Sequence, residues 1–393
     1  MPQFIPPSRT LMGPGPSDVP VSVLHAMARP TIGHLDPAFV SLMDEIKALL
    51  QYAFQTQNEL TIPVSAPGSA GMEACFVNLV EPGEKVIVCI NGVFGMRMKE
   101  NVSRCGGIPV VVASEWGQPV DPLEVRRVLE VNTDAVVLAF VHAETSTGVV
   151  SDAEALCALA KEFSCLTIVD AVTSLGGVPV KVDEWGVDAI YSGTQKCLSC
   201  SPGLSPISFS SAAVDKVKNR TTPVQSWFLD LNLVMGYWGE SEKRSYHHTA
   251  PVNSLYGLHE TLRLLKAEGL ESSWARHKFH HEALKLGLQA IGVEFAVDES
   301  CRLPQLNAVS VPEGIDEAKV RARLLDNYGL EIGAGLGKFA GKLWRIGLMG
   351  HSASKENVVL CVDALSSVLS ELGSSHVQGS GLSAVNQFYD DLS

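Results

Sequence analysis

Two residues of this chain stand at the ends of apolar segments and have types that could act together on one small molecule. The stretch LTIVDAVTSLGG closes an apolar run with Asp170, and WGVDAIYSGTQKCLSCSPG carries a second run to Tyr191 and Ser192 and then to Lys196. In open α/β sheets ligands collect at the carboxyl ends of strands, so an acid and an amine on neighbouring strands could face the same ligand. Lys196 stands among Ser, Thr, Gly and Cys with no charged neighbour. In such a setting an amine loses its proton and becomes a nucleophile toward an aldehyde. Most single lysines and aspartates are solvated surface charges, and spacing alone leaves both readings open.

Other patterns compete for attention. Cys197 and Cys200 have the C-x-x-C spacing of a redox pair or half a zinc site, yet no second C-x-x-C or C-x-x-H follows. They read as small packing residues. Gly333, Gly335 and Gly337 in GAGLG resemble a dinucleotide loop only superficially, because the third glycine comes too early and the segment lies near the carboxyl end. No hydride cofactor is implied. His247 and His248 are adjacent, so in regular structure their rings diverge, and no third ligand stands nearby. No metal is expected.

Positioning an acid and an amine at strand ends requires a sheet, and the chain has the pattern of one. Phe39, Leu42, Met43, Ile46, Leu49 and Leu50 fall at helical spacing and predict a helix over 37–54, followed by a strand at 60–64. Further strands are predicted at 85–90, 108–113, 135–141, 166–169 and 189–192. Most are β-branched runs without clean alternation, as in strands buried on both faces. Amphipathic stretches at 121–130 and 152–163 complete an α/β pattern, a mostly parallel sheet wrapped by helices. The proline- and glycine-rich residues 1–20 read as an extended arm. A long helical stretch from Ser254 precedes shorter strands at 308–311 and 343–348. This change divides the chain into a large domain over 21–270 and a small one over 271–372. Residues 373–393, poor in apolar periodicity, are expected to be a tail that is mobile or held only by a partner.

Composition narrows the partners. A chain of 393 residues with 46% hydrophobic content can fill two cores. Its 43 acidic and 30 basic side chains give a net charge of -13, which repels nucleic acid. Apolar runs such as 135–141 fall well short of the roughly 20 residues of a membrane span. The first residues show no basic region with an apolar run and cleavage site, and DDLS is no recognised address. Nine scattered cysteines lack the even, dense spacing of a secreted disulfide scaffold. A cytoplasmic protein with reduced thiols is expected.

Seven ordered motifs carry a resemblance: GPGPSD, GSAGMEA, HAETSTGVV, VDAVTSLGG, YSGTQKCL, YHHTAPVNSLYGL and KLWRIGLMG, spread over roughly residues 10 to 365. They resemble the class V pyridoxal-phosphate-dependent aminotransferases, and among these the alanine-glyoxylate and serine-glyoxylate (serine-pyruvate) enzymes. The resemblance implies a fold type I transferase whose smaller C-terminal domain is α+β. It implies that Lys196 carries pyridoxal 5'-phosphate as a Schiff base and that Asp170 pairs with the pyridinium nitrogen, keeping the ring an electron sink. Gly68, Ser69 and Ala70 would open a helix whose free N–H groups hold the cofactor phosphate. Gln195 would contact that phosphate, and Thr145 would lie near the ring. Phe94 takes the place where many relatives stack a tryptophan on the pyridine face, although a core phenylalanine is the competing reading. Tyr246 and Thr249 are similar to residues that reach the neighbouring subunit's cofactor, which implies a homodimer with shared sites. Arg345 matches the arginine that receives the substrate α-carboxylate, against the alternative of a structural ion pair.

The activity so implied is a ping-pong transamination in which Lys196 moves a proton from the amino acid's Cα, and glyoxylate accepts the amino group to become glycine. Alanine, giving pyruvate, is the favoured donor and serine the other, since an apolar pocket separates them weakly. A 2-aminoethylphosphonate transaminase remains a related reading. A cysteine desulfurase would need a mobile nucleophilic cysteine, for which Cys301 is only loosely comparable. A cofactor-free α/β binding protein, with Lys196 and Asp170 structural, is the reading from a different class.

Overall fold

The computed structural model describes residues 1–239, 244–375 and 379–392. Asp36 opens the helix α1 (Pro37–Phe54) by accepting the Ala38 N–H at 2.8 Å, and Pro37 follows where no N–H donor is needed. Phe39, Met43, Ile46 and Leu50 recur on its buried face.

Seven strands make the central sheet: β1 (Leu60–Val64), β2 (Lys85–Ile90), β3 (Ile108–Ala113), β4 (Ala135–Val141), β5 (Leu166–Asp170), β6 (Ala189–Tyr191) and β7 (Ser205–Phe209), in the order β1-β7-β6-β5-β4-β2-β3. β7 runs antiparallel to both neighbours, and all other pairings are parallel. β4 and β5 are buried almost throughout, as their unbroken apolar runs require. β3 departs from the expectation of burial on both faces. It pairs only with β2 at the edge of the sheet and leaves Ile108 and Val111 exposed.

Two close approaches seat α2 (Gly68–Leu79) and α3 (Val93–Arg104) on this sheet. A Cβ on Gly71 would overlap Ser205 Oγ and lie 3.3 Å from Tyr191 Cβ; one on Gly95 would lie 2.7 Å from the Cys89 carbonyl oxygen. Both helices therefore start just beyond the carboxyl ends of β1 and β2, the edge of the sheet at which β5 delivers Asp170.

The second core surrounds an antiparallel sheet of β8 (Leu306–Ser310), β9 (Gly333–Ala334) and β10 (Leu343–Gly347), ordered β8-β10-β9. Two long helices lead into it, α4 (Val252–Glu268) and α5 (Leu270–Ala290), separated by Gly269 at φ +88°. α5 serves both cores: Leu270 and Trp274 pack in the large one, Ala283, Leu284 and Leu288 in the small one. The amino-terminal arm joins in too, for Thr10 and Leu11 pair with Leu330 and Glu331, and Met12 is fully buried in the small core.

The helices α6 (Lys355–Glu371) and α7 (Ser380–Asp391) complete the small core. α7 corrects the expectation for 373–393, of which 376–378 and 393 lie outside the described residues. Gly381, Val385 and Tyr389 recur every four residues on one buried face, and the Tyr389 hydroxyl meets His280 Nδ1 at 2.8 Å. The helix folds onto its own chain because that stripe finds α5 and α6 to bury it. Among the described residues no helix is long and apolar enough to cross a membrane.

Gly287 of α5 makes this docking possible, since a Cβ there would lie 2.6 Å from Val385 Cγ2 and 2.8 Å from Val362 Cγ2. Gly287→Val should cost about 1–3 kcal/mol by overpacking, read as a lower thermal midpoint with faster proteolysis within 380–391. An unchanged midpoint would contradict the close packing.

Candidate active site

Five chain segments converge on the carboxyl edge of the central sheet. Together they line a cavity of about 200 Å³ that includes Gly68, Ser69, Phe94, Thr145, Asp170, Gln195 and Lys196. Seven of the residues singled out in the sequence thus meet at one place, although they span 128 positions of the chain (196 − 68).

Asp170 closes β5 and is almost fully buried. One carboxylate oxygen accepts the Tyr191 hydroxyl at 2.7 Å, the other the Val172 N–H at 2.8 Å. Burial outweighs both bonds and pushes the carboxyl up to about 7, with Glu144 adding to the rise and Lys196 opposing it. Tyr191 is a contributor that the motif reading passed over. It is Asp170's register partner on β6, so the parallel pairing itself was the signal.

Lys196 lies in the loop between β6 and β7, 8% exposed. Burial, then the Arg345 charge, lowers its amine to about 8, while Cys197 and Asp170 act in the opposite sense. Its Nζ donates to the Pro14 carbonyl of the amino-terminal arm. Gln195 beside it keeps a buried Oε1 with no hydrogen-bond partner among the described residues.

Pro67 precedes α2 without a side-chain cap, and the first N–H groups of a helix have no intrahelical acceptor. Gly68 and Ser69 present this end to the cavity. Ala70 does not line it, and its N–H already donates to the Pro67 carbonyl at 2.7 Å. Phe94 enters from the first turn of α3 with the Arg97 guanidinium 4.8 Å from its ring centre. The start of α3 is held by Glu144, a fully buried residue whose carboxylate accepts the Phe94 N–H at 3.1 Å and the Ser146 hydroxyl at 2.6 Å. A Cβ on Gly92 would overlap that carboxylate. Burial pushes the Glu144 carboxyl upward. Glu144 stands inside the motif HAETSTGVV, and only its burial distinguishes it from a surface acid.

Arg345 on β10 is 6% exposed. Its Nε donates to the Ala334 carbonyl at 2.7 Å and its Nη1 to the Thr145 carbonyl at 3.2 Å, so β10 meets the cavity wall through Thr145. Thr145 Oγ1 in turn meets Thr173 Oγ1. Burial lowers the guanidinium to about 10, and Glu144 counteracts it. Tyr246 and Thr249 are exposed and do not line this chain's own cavity.

The competing patterns take other places. Cys197 and Cys200 are buried free thiols that burial raises to about 12 and 11. Gly333 of GAGLG pairs in register with Arg345. His247 and His248 do not diverge as expected: their segment is irregular, and the two Nδ1 atoms meet at 2.7 Å while His248 Nε2 reaches Ser65 Oγ. Among the described residues no group of three or more His, Cys, Asp or Glu side chains could hold a metal ion.

Residues 15–339 match the family described as aminotransferase class-V. The alanine–glyoxylate aminotransferase of Callithrix jacchus is 40% identical over 92% of this chain and 88% of its own length. The crystal structure of an alanine–glyoxylate aminotransferase from Nostoc sp. superposes with a TM-score of 0.92 at 47% identity, covering 94% of this chain and 97% of its own. That of a ureidoglycine-glyoxylate aminotransferase from Bacillus subtilis gives 0.97 at 38% identity, covering 99% and 100%. The chain belongs to the class V aminotransferases, fold type I enzymes that work with pyridoxal 5'-phosphate.

Proposed function

We propose that this enzyme transfers the amino group of a small amino acid, alanine foremost, to glyoxylate, giving pyruvate and glycine, with Lys196 as the catalytic amine. The observation that carries the reading is the sharing of one buried cavity by Lys196, Asp170 and the uncapped start of α2. The donor set suits the cofactor. Free N–H groups at Gly68 and Ser69 answer a phosphate, and Gln195, whose amide oxygen has no partner among the described residues, can turn its NH₂ to the same group. A carboxyl that burial raises to about 7 against the opposing Lys196 charge would be stabilised further by a cation in contact with it, which a protonated ring nitrogen would supply.

Pyridoxal phosphate, when bound, supplies an electron sink for charge developed at the amino acid's α-carbon. The chain's residues do the rest. Asp170 is oriented by the Tyr191 hydroxyl and the Val172 N–H, so its carboxylate faces the cavity without rearranging. Phe94 and Val172 line the cavity with apolar surface that keeps water from the reacting atoms. Arg345, clamped through Nε and Nη1, offers the rest of its guanidinium to the substrate carboxylate. Lys196 Nζ, with its amine lowered to about 8, takes the proton from the α-carbon and would hand it on to the carbon on the cofactor's side of the transferred nitrogen, not back to the donor.

We assign Tyr246 and Thr249 to the site of a second subunit in a homodimer. Their exposure and their absence from the lining of this chain's cavity support that placement. Nine unpaired, buried thiols support a reducing cytoplasm. Ureidoglycine is the second donor to weigh, because the fold matches the Bacillus enzyme over its whole length.

Four outcomes test these assignments. In half-reactions that follow the cofactor's absorbance, alanine should react and release pyruvate, and glyoxylate should restore the starting spectrum with formation of glycine. If alanine and serine both fail while ureidoglycine reacts, the donor assignment is wrong. Lys196→Ala should lose borohydride-fixed cofactor and roughly 10²–10⁴-fold in turnover. In the cofactor-free wild type, covalent capture of pyridoxal phosphate should accelerate as pH rises through about 8, where the neutral amine appears, and not near the 10.5 of an ordinary lysine. Co-expressed Lys196→Ala and Thr249→Ala subunits should exceed either parent in activity, since a mixed dimer rebuilds one complete site; additive parental activity would argue against sharing.

A further inference from the structure

The amino-terminal arm does more than hang from the fold. Residues 10–18 cross the second core and then run against Lys196. Gly347, two residues past Arg345, donates its N–H to the Met12 carbonyl at 2.7 Å, and a Cβ on Gly347 would overlap the Gly13 carbonyl oxygen. A Cβ on Gly333, the register partner of Arg345, would overlap Pro14. One residue on, Gly15 has φ +103°, and a Cβ there would lie 2.7 Å from Lys196 Cδ and 2.9 Å from both Cε and Nζ. Ser17 then donates its N–H to the Gln195 carbonyl at 2.9 Å and its hydroxyl to the Lys196 carbonyl at 2.7 Å. Asp18 closes the strap, accepting the Leu11 N–H at 3.0 Å and donating its own to Ser352 Oγ at 2.9 Å.

We propose that this strap is a positioning element of the reaction: the Pro14 carbonyl receives the Lys196 amine whenever that amine is free, and so holds the proton carrier in register with the strand that bears Arg345. The inference rests on the reading of Lys196 as the catalytic amine. Its physical basis is that a lysine has four rotatable bonds, and an unanchored ammonium in a buried cavity would lose both its geometry and its solvation. A backbone carbonyl fixed at both ends supplies one acceptor at one place and cannot itself titrate. The other groups that act on the amine, Arg345, Cys197 and Asp170, shift its protonation without fixing its position. Gly15 is what allows the amine to lie against the strap.

The test compares Gly15→Ala with Gly13→Ala, whose added Cβ would meet nothing nearer than 3.8 Å. In the cofactor-free protein, competitive acylation against pH reads the Lys196 amine. Gly15→Ala should lower its midpoint, making it roughly 10-fold more reactive at neutral pH, because the ammonium loses its acceptor while its burial persists. In the loaded enzyme the half-reaction should slow roughly 10–100-fold, with a larger isotope effect from Cα-deuterated donor and an unchanged dissociation constant for a carboxylate inhibitor. Gly13→Ala should match wild type throughout. Gly15→Ala that folds and keeps the wild-type midpoint and isotope effect overturns the proposal. If Gly15→Ala does not fold, Ser17→Ala decides: the same changes at smaller size support the strap, and wild-type values on both readouts overturn it. Wild-type protein in which borohydride fixes no cofactor on Lys196 fails at the earlier reading, and the strap's role falls with it.

Discussion

An amine and a carboxylate share a cavity that water scarcely reaches, and the cost of removing them from water shapes everything around them. Burial drives Lys196 down to about 8 and Asp170 up to about 7, both toward their neutral forms. Both charges can be recovered only if fixed dipoles replace the solvent. The protein supplies them from rigid backbone and locked side chains: the Tyr191 hydroxyl and Val172 N–H at Asp170, the Pro14 carbonyl at Lys196, and two carbonyls at Arg345. Partners already in place need no reorganisation when charge moves, which is what a buried site requires.

That arrangement depends on backbones coming unusually close. α2 reaches the cavity with its first turn because Gly71 lets it lie on β6 and β7, and α3 does so because Gly95 lets it lie on β2. Gly92 makes room for the Glu144 carboxylate that holds the start of α3, and through it Phe94. α5 crosses from one core to the other, and the arm runs from Met12 in the second core to Ser17 on the Gln195 and Lys196 carbonyls, so both cores are tied to groups at the cavity. Arg345 stands on a strand of the second core yet is tied to Thr145 of the cavity wall. Arg345 and Lys196 are thereby held in one frame.

Legibility in the sequence followed the range of the interaction. The strands at 85–90, 108–113 and 135–141 were readable to the residue, because β-branched runs between helical stretches are a local pattern. The exposure of β3 was not, since edge and centre differ only in what lies alongside. α7 was missed because Gly379, Ser380 and Gly381 look like linker, while its stripe of Gly381, Val385 and Tyr389 acquires meaning only against α5 and α6. His247 and His248 met where divergence was expected, because the rule for adjacent side chains holds only in regular structure.

For the site, Lys196, Asp170, Gly68, Ser69, Phe94, Thr145, Gln195 and Arg345 were nameable from types in ordered motifs. The sequence by itself determined the α/β class, the acid and amine at strand ends, and the family to which the motifs belong. Tertiary structure alone decided that Tyr191 and Glu144 hold the others in place, that Ala70 spends its N–H on Pro67, and that the Pro14 carbonyl meets the Lys196 amine. Periodicity and residue type are written within a few positions of the chain. Desolvation and hydrogen-bond partners come from segments tens to hundreds of residues away, and they exist only once the chain has brought those segments together.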